Sequence, residues 1–383
     1  MQSFDIIVIG AGPAGSCAAY WASQQGLSVA LLDKATFPRH KLCGGLFTER
    51  SRHTYQDIFG RDFDMSRAVT RTQIAFWHDN TELAVLNGIP PLHLTMRLEL
   101  DNTLYKNAIA AGVNDFTGRA LSELSDTTVT FRDGERLTAK IIIGADGVNS
   151  VVARTLFGKA FDTETIGFGL EIEASTDEQN PLEHPLRIDF GSAAWGYGWS
   201  FPKQHSTTVG VGGLRAPNPD MKAHFSKYLR DLGLDPDTTR FKGHHLPFGD
   251  FRKIPGRRNV LLAGDAAGLV DPITGEGIAL AMKSGQLAAQ AAVDALAQNA
   301  ADTALARYQF SLRPIHKSLK IARMLRRIIF APRWQVAFVA TFRKSGTVRM
   351  QYMRLLAGEV EYPELGRSVL RRLPRYVLNA FRR

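Results

Sequence analysis

Cys43 stands in FPRHKLCGG, residues 37–45, behind the basic run Arg39, His40 and Lys41 and ahead of the pair Gly44 and Gly45. Neighbouring cations favour a thiolate, and paired glycines let a backbone come close to a flat ring. A small buried thiol is the other ordinary use of cysteine, and the residue types alone leave both uses open. The only other cysteine is Cys17, so no disulfide framework is expected. No metal-ligand spacing appears, and no metal site is expected. His244 and His245 lack a third partner and read as residues of a surface loop before Pro247.

A second chemistry is written near the N-terminus. Gly10, Gly12 and Gly15 form G-x-G-x-x-G within DIIVIGAGPAGSCAAYWASQQGLSVALLDK. The apolar run, the glycines, the Ala-rich helical stretch closed by Gly26, and the second apolar run predict a strand, turn, helix and strand of about 30 residues. In such a unit the glycines permit a tight turn and close approach of a pyrophosphate, which the helix N-terminus attracts. Asp33, 18 residues past Gly15, ends the second strand, where a carboxylate accepts from ribose hydroxyls. Dinucleotide binding is the expectation, against a glycine-rich turn without a ligand.

The rest of the chain supplies elements around these groups. Residues 69–95 read as turn-broken strands, and RLELDNTLYKNAIAAG as a helix ending at Gly112. AKIIIGAD is a buried strand reaching a turn. Between about 160 and 250, alternations such as GFGLEIEA, LRIDFG and STTVGVGG, separated by Gly and Pro, predict an antiparallel sheet. NVLLAGDAAG and a long Ala-rich helix return the chain to the nucleotide domain. The tail after Leu305 reads as helices broken at Pro332, Pro363 and Pro374. The expected fold is α/β: a Rossmann-type domain (1–68, 96–158 and 255–305), an interleaved antiparallel-sheet substrate domain (69–95 and 159–254) and a basic helical C-terminal region (306–383).

The net charge of +10 belongs to that tail. From Arg313 onward there are 17 Lys and Arg against 3 Glu, whereas the 312 residues before it carry 30 against 34. The basic residues alternate with apolar ones, as in LKIARMLRRIIF and LRRLPRYVLNAF, which fits an anionic membrane or an acidic partner protein rather than nucleic acid. A solvated outer face of ordinary helices gives the same pattern. No secretion signal and no apolar run of about 20 residues is present, so a cytoplasmic protein, free or peripheral at a membrane, is expected.

Two further segments, GADGVNSVVAR (144–154) and NVLLAGDAAGLVDPITGEGIALAM (259–282), stand in the order and spacing of the DG and GD motifs of flavin-dependent monooxygenases and reductases, and the resemblance is close. It implies FAD as the dinucleotide. Asp265 would then bind the ribityl or pyrophosphate region, with Asp146, Gly147, Gly264, Gly275 and Gly277 beside it and the helix start after Asp265 facing the flavin. A helix N-cap is the plainer use of Asp265. Arg97 matches the family's Arg-x-x-x-Asp helix start near the cofactor, or is an exposed arginine of a first turn.

FPRHKLCGG is similar to the P-x-x-K-x-C-G-G element of the geranylgeranyl reductase family, and GYGWSFPK (196–203) to its Y-x-W-x-F-P element. This narrower resemblance implies that Cys43 lines the substrate side of the flavin, with Lys41, Gly44 and Gly45 near the cofactor. Tyr197, Trp199 and Phe201 share one face by strand alternation, and would form an apolar wall for a large apolar or aromatic substrate; without the resemblance they read as core. The reaction implied is hydride reduction of an isoprenoid carbon–carbon double bond, with NAD(P)H or ferredoxin as electron donor. The resemblance leaves open a monooxygenase acting on an aromatic ring, including a tryptophan of a partner protein; a non-catalytic FAD-binding assembly factor is a further class, against which the intact Cys43, Tyr197 and Trp199 speak.

Overall fold

The computed structural model describes residues 1–66, 68–175, 185–237 and 240–365. The chain shuttles between two eight-stranded sheets. It opens in the first with β1 (Gln2–Ile9), α1 (Pro13–Gln24) and β2 (Val29–Asp33). It then crosses to the second for β3 (Leu46–Phe47), α2 (Glu49–Phe59), β4 (Val69–His78) and β5 (Thr81–Leu94). Helix α3 (Arg97–Ala110) leads back to β6 (Asn114–Thr117), β7 (Leu121–Leu124), β8 (Thr128–Phe131), β9 (Arg136–Gly144) and α4 (Val151–Phe157). A second excursion supplies β10 (Gly167–Ser175), β11 (Leu186–Phe190), β12 (Tyr197–Pro202), β13 (Ser206–Leu214), α5 (Met221–Asp231) and β14 (Lys242–Leu246). Strands β15 (Gly256–Arg257) and β16 (Val260–Leu262) close the first sheet before α6 (Ile278–Ala297), α7 (Ala304–Ser311), α8 (Arg313–Phe330), α9 (Pro332–Lys344) and α10 (Gly346–Ala357).

In the first sheet, β16, β9, β1, β2 and β6 run parallel in that order. Such strands are covered on both faces and therefore read as continuous apolar runs; Ile6, Ile7, Val8, Ile141, Ile142, Ile143 and Leu262 are fully buried. The Ala-rich character of α6 has a local cause. A Cβ on its Gly285 would lie 2.0 Å from the Ala14 carbonyl oxygen, so only small residues allow α6 to press against the start of α1.

The second sheet has the order β14-β10-β13-β12-β11-β4-β5-β3. It is antiparallel as expected except where β11 lies parallel to β4. Those two strands come from separate excursions, so no hairpin forces them to be antiparallel. One face packs Leu170, Ile172, Val209 and Val211 against Phe225 and Leu229 of α5. On the other, Phe76, Ile188 and Phe190 are covered by Phe330, Phe342, Tyr352 and Met353 of the C-terminal helices. Pro332 opens α9 in its first turn, and Pro363 lies in a helical stretch at 362–365; the segment LRRLPRYVLNAF with Pro374 falls outside the described residues. Among the described residues, no helix is long and apolar enough to cross a membrane.

Candidate functional site

The glycines at the end of β1 are required by contact. Gly10 has φ +101°, and a Cβ there would sit 2.4 Å from the Ala145 carbonyl oxygen. On Gly15 a Cβ would sit 1.7 Å from the Gly10 oxygen. Helix α1 starts at Gly12 with no side-chain cap and Pro13 in its first turn, which leaves first-turn N–H groups to an anion. Asp33 fixes the loop by accepting the N–H groups of Ala11 (2.8 Å) and Ala35 (2.9 Å), and each of its oxygens keeps a lone pair for a hydroxyl.

The two later motifs close on the same place. Asp146 accepts from the Ser150 hydroxyl and from the N–H groups of Val151 and Val152, tying down the start of α4 behind Gly147. Gly264 brings its turn against α1, a Cβ there meeting Ala14 Cβ at 3.0 Å. Asp265 lies in a 3-10 turn, Gly264–Ala267, whose cap is Ala263, so it is not a helix cap. Its carboxylate accepts no hydrogen bond from the described residues. The glycine-rich helix start expected after Asp265 is only this short 3-10 turn, whereas the long Ala-rich helix lies where GIALAMKSGQLAAQAAVDALAQ places it: α6 begins at Ile278, and the Glu276 carboxylate accepts the Ala279 N–H (2.7 Å) there. That side chain already satisfies an orphan donor of α6, which favours α1 as the anion-binding terminus. With its carboxylate near Gly277 and within reach of the Lys41 charge, Asp265 is expected to take a hydrogen bond from the cofactor, and Asp265→Ala to lower FAD affinity about tenfold, the loss of one hydrogen bond to a charged group; fluorescence titration of apoprotein with FAD measures it.

The Cys43 loop bridges the two sheets. Gly45 has φ +79°, and a Cβ there would be 2.0 Å from the Thr95 carbonyl oxygen; one on Gly44 would meet the Phe201 ring at 2.9 Å. The Cys43 N–H donates to Glu171 Oε1 (3.0 Å), and the Gly45 N–H points at Cys43 Sγ (3.4 Å). Arg97 is held by Asp101 through Nε (2.7 Å) and Nη2 (2.9 Å), with Arg39 joining the same carboxylate at 3.3 Å. It is thus a mostly buried arginine beside Cys43 rather than an exposed first-turn arginine. Burial works against its charge, but Asp101 and Cys43 outweigh that and hold its pKa above the ordinary value.

Trp199 and Phe201 face this loop, as alternation predicts, with ring centroids 6.5 Å apart. The indole lies over a bed of glycines: Cβ atoms on Gly210 and Gly212 would be 2.3 and 3.3 Å from it. Its Nε1 is buried without a hydrogen-bond acceptor among the described residues. Tyr197 departs from a purely apolar wall. Its hydroxyl donates to the Thr274 carbonyl (2.5 Å) against Gly275, lacing the sheet to the turn before α6, and burial keeps it a neutral phenol by raising its pKa. Gly277 caps α6 with Asp265 nearby.

Residue patterning missed two polar members. His244 is not in a surface loop: it lies on β14 and is hydrogen-bonded to Lys41. Burial, reinforced by the Lys41 charge, drops its pKa to about 3, so it is neutral and its Nε2 presents a lone pair to the lysine. Burial also lowers the Lys41 pKa, with the Asp265 charge opposing it. Glu171 on β10 is only 5% exposed. In GFGLEIEA it looks like the solvent side of an alternating strand; nothing local reveals that the Cys43 loop covers it. The strand-interior glycines of STTVGVGG were the available signal, since such glycines mark close approach.

Together these features define an FAD-dependent oxidoreductase: a dinucleotide cradle on a parallel sheet, opening toward an aromatic and polar floor on a second sheet. A model of the FAD binding domain matches residues 3–184. A geranylgeranyl diphosphate reductase of Rhodobacter capsulatus is 32% identical over 327 residues, covering 81% of this chain and 80% of the relative. A menaquinone reductase of Mycobacterium tuberculosis is 31% identical over 313 residues, 76% of each chain. The crystal structure of a geranylgeranyl bacteriochlorophyll reductase-like protein from Thermoplasma acidophilum shares the fold, with a TM-score of 0.77 at 21% identity over 96% of this chain and 99% of that one. The chain belongs to the geranylgeranyl reductase family of FAD-dependent oxidoreductases.

Proposed function

We propose that this protein reduces carbon–carbon double bonds in a long isoprenoid-like chain. The observation that carries the reading is Trp199 lying on the glycine bed beside the Cys43–Gly44 segment, at the edge of the apolar half of the sheet lined by Ile188 and Phe190. An alkene held there has no polar group to grip, so position must come from aromatic contact and exclusion of water. The relatives named as geranylgeranyl diphosphate and menaquinone reductases fit this substrate class.

Bound FAD, once reduced, supplies a hydride. The cradle of Gly10, Gly12, Gly15 and Asp33 would hold its dinucleotide part, with Asp265 near the ribityl chain. Gly44 and Gly45 let the Cys43 loop close on Phe201 and the Thr95 carbonyl, Arg97 braces the Cys43 thiol, and Cys43 stands where a proton can be handed to substrate. Cys43→Ser is expected to bind FAD as wild type but to turn over about tenfold or more slowly, less than the roughly hundredfold small end of a fully lost acid–base contribution because the serine hydroxyl still donates weakly. Equal turnover would return Cys43 to a packing role. The electron donor is proposed to be NAD(P)H or ferredoxin. The test of the reading is anaerobic: photoreduced, bleached protein is mixed with a polyprenyl diphosphate and the yellow absorbance followed. Substrate-dependent recovery without oxygen is expected; no recovery with any prenyl compound contradicts it.

The tail helices are proposed to bring the protein to its substrate. Residues 303–358 contain 12 Lys and Arg and no acidic residue. Their outer surface exposes Met324, Ile328, Trp334 and Val336, while their inner face covers the second sheet. Apolar side chains among cations suit an anionic lipid surface.

A further inference from the structure

The geometry points to Glu171 as the acid that supplies the second hydrogen of the reduction, a role that rests on the reductase reading above. Strand register places Lys242, Glu171, Gly210 and Trp199 side by side across β14, β10, β13 and β12. Because Gly210 has no side chain, the indole extends over it toward Glu171. One carboxyl oxygen of Glu171 accepts the Cys43 N–H, while the other, Oε2, is buried with no partner among the described residues. The Trp199 Nε1 is similarly unpartnered and lies 3.4 Å from a Cβ position on Gly44. Two orphaned polar atoms thus flank the Cys43–Gly44 segment, where the substrate alkene is placed.

Glu173, the next residue on the same face, shows the contrast. It accepts from Lys203 (3.4 Å), the Ser206 hydroxyl (2.8 Å) and the Thr208 hydroxyl (2.5 Å), as a settled carboxylate does. Glu171 has one donor and a naked oxygen, an arrangement that favours the protonated acid. Burial pushes its pKa up to about 7, opposed by the Cys43 N–H and the charges of Lys203 and Lys41, and assisted by Glu173. Lys242 and His244 face it from β14; His244, with a pKa of about 3, stays neutral and cannot titrate in the same range.

The step balances as follows. The alkene π bond breaks; one carbon receives hydride, two electrons and one hydrogen, from the reduced cofactor. The other carbon receives the proton from the Glu171 carboxyl, directly or through the Cys43 thiol. Glu171 is left as carboxylate and is reprotonated from solvent, and the cofactor is left oxidised.

The test is single-turnover product formation under anaerobic conditions from pH 5.5 to 8.5, for wild type, Glu171→Gln and Cys43→Ser, with thermal unfolding of each holoprotein over the same range. Glutamine keeps the acceptor for the Cys43 N–H, so the loop and FAD binding should hold. Wild-type rate is expected to fall as pH rises through about 7, because the protonated form is the donor. Glu171→Gln should be at least tenfold slower and lack that limb, whereas Cys43→Ser should retain it. Unfolding gives a readout independent of turnover. A carboxyl whose pKa is raised in the fold, from 4.5 to about 7, costs stability progressively between those two values and no more above them, so Glu171→Gln should gain in unfolding temperature relative to wild type as pH climbs from 5.5 to about 7 and keep that gain up to 8.5. Hydrogenated product with a pH-independent wild-type rate, or a limb lost in Cys43→Ser but kept in Glu171→Gln, overturns the role of Glu171 alone. No product from wild type overturns the reductase reading and this inference with it. Should Glu171→Gln not fold, the wild-type and Cys43→Ser profiles still decide.

Discussion

Gly15→Ala is expected to yield a colourless protein. A methyl at this position would lie 1.7 Å from the Gly10 carbonyl oxygen and 2.9 Å from its carbon. Both are backbone atoms, so no side chain can swing away and α1 itself must shift from β1. Overpacking of this kind costs about 1–3 kcal/mol, and the shift also removes the helix N-terminus from the pyrophosphate. We expect FAD affinity to fall about hundredfold or more, which is about 2.7 kcal/mol. The measurement is flavin content after gel filtration, with titration of the apoprotein. Gly346→Ala on α10 is the internal control: outside the cradle, its methyl would come no nearer than 3.8 Å to Arg349, so FAD should be retained. Equal retention of FAD by Gly15→Ala and wild type would contradict the placement of the cradle.

That contact was legible before the structure, because a strand, G-x-G-x-x-G and an Ala-rich helix leave few geometries. The parallel core was equally legible from its uninterrupted Ile and Val runs. The polar floor beside the Cys43 loop was not. Glu171 and His244 sit on strands whose local pattern looks half-exposed, and their burial comes from a loop more than 120 residues away, the Lys41–Cys43 segment. The long Ala-rich helix was legible at its true place, but the glycine-rich start read after Asp265 is only a 3-10 turn of four residues. Tyr197, Trp199 and Phe201 shared a face as the period of two requires; that Tyr197 spends its hydroxyl on Thr274 depends on a turn that strand periodicity does not report.

The second large effect concerns the tail. If α8 and α9 lie on an anionic surface, each Lys or Arg held there contributes about 1 kcal/mol. Changing Arg323, Arg327 and Arg333 to Gln should therefore weaken binding about hundredfold. These three side chains are exposed. Arg326 is left alone because its Nη1 donates to the Phe248 carbonyl (2.7 Å), which gives it a structural part. Co-sedimentation with phosphatidylserine vesicles, phosphatidylcholine vesicles as control, and a salt series reads the result. Binding confined to anionic vesicles and falling steeply between about 0.01 and 0.15 M salt is expected, as the screening length shortens from about 30 to 8 Å. Trp334→Ala should lose the salt-resistant remainder. Negligible binding to both vesicle types at low salt would remove the membrane role and leave these helices as a cover of the second sheet, or a dock for an acidic protein.

The central claim is that this flavoprotein hydrogenates an alkene rather than oxygenating its substrate, and the mass of the product tests it most directly. Protein reduced under argon is given a geranylgeranyl diphosphate, and a parallel sample receives the same substrate with an external reductant under ¹⁸O₂. The account predicts product heavier by two hydrogens for each double bond reduced, formed equally well without oxygen and carrying no ¹⁸O. A product formed only with oxygen and bearing ¹⁸O would contradict it.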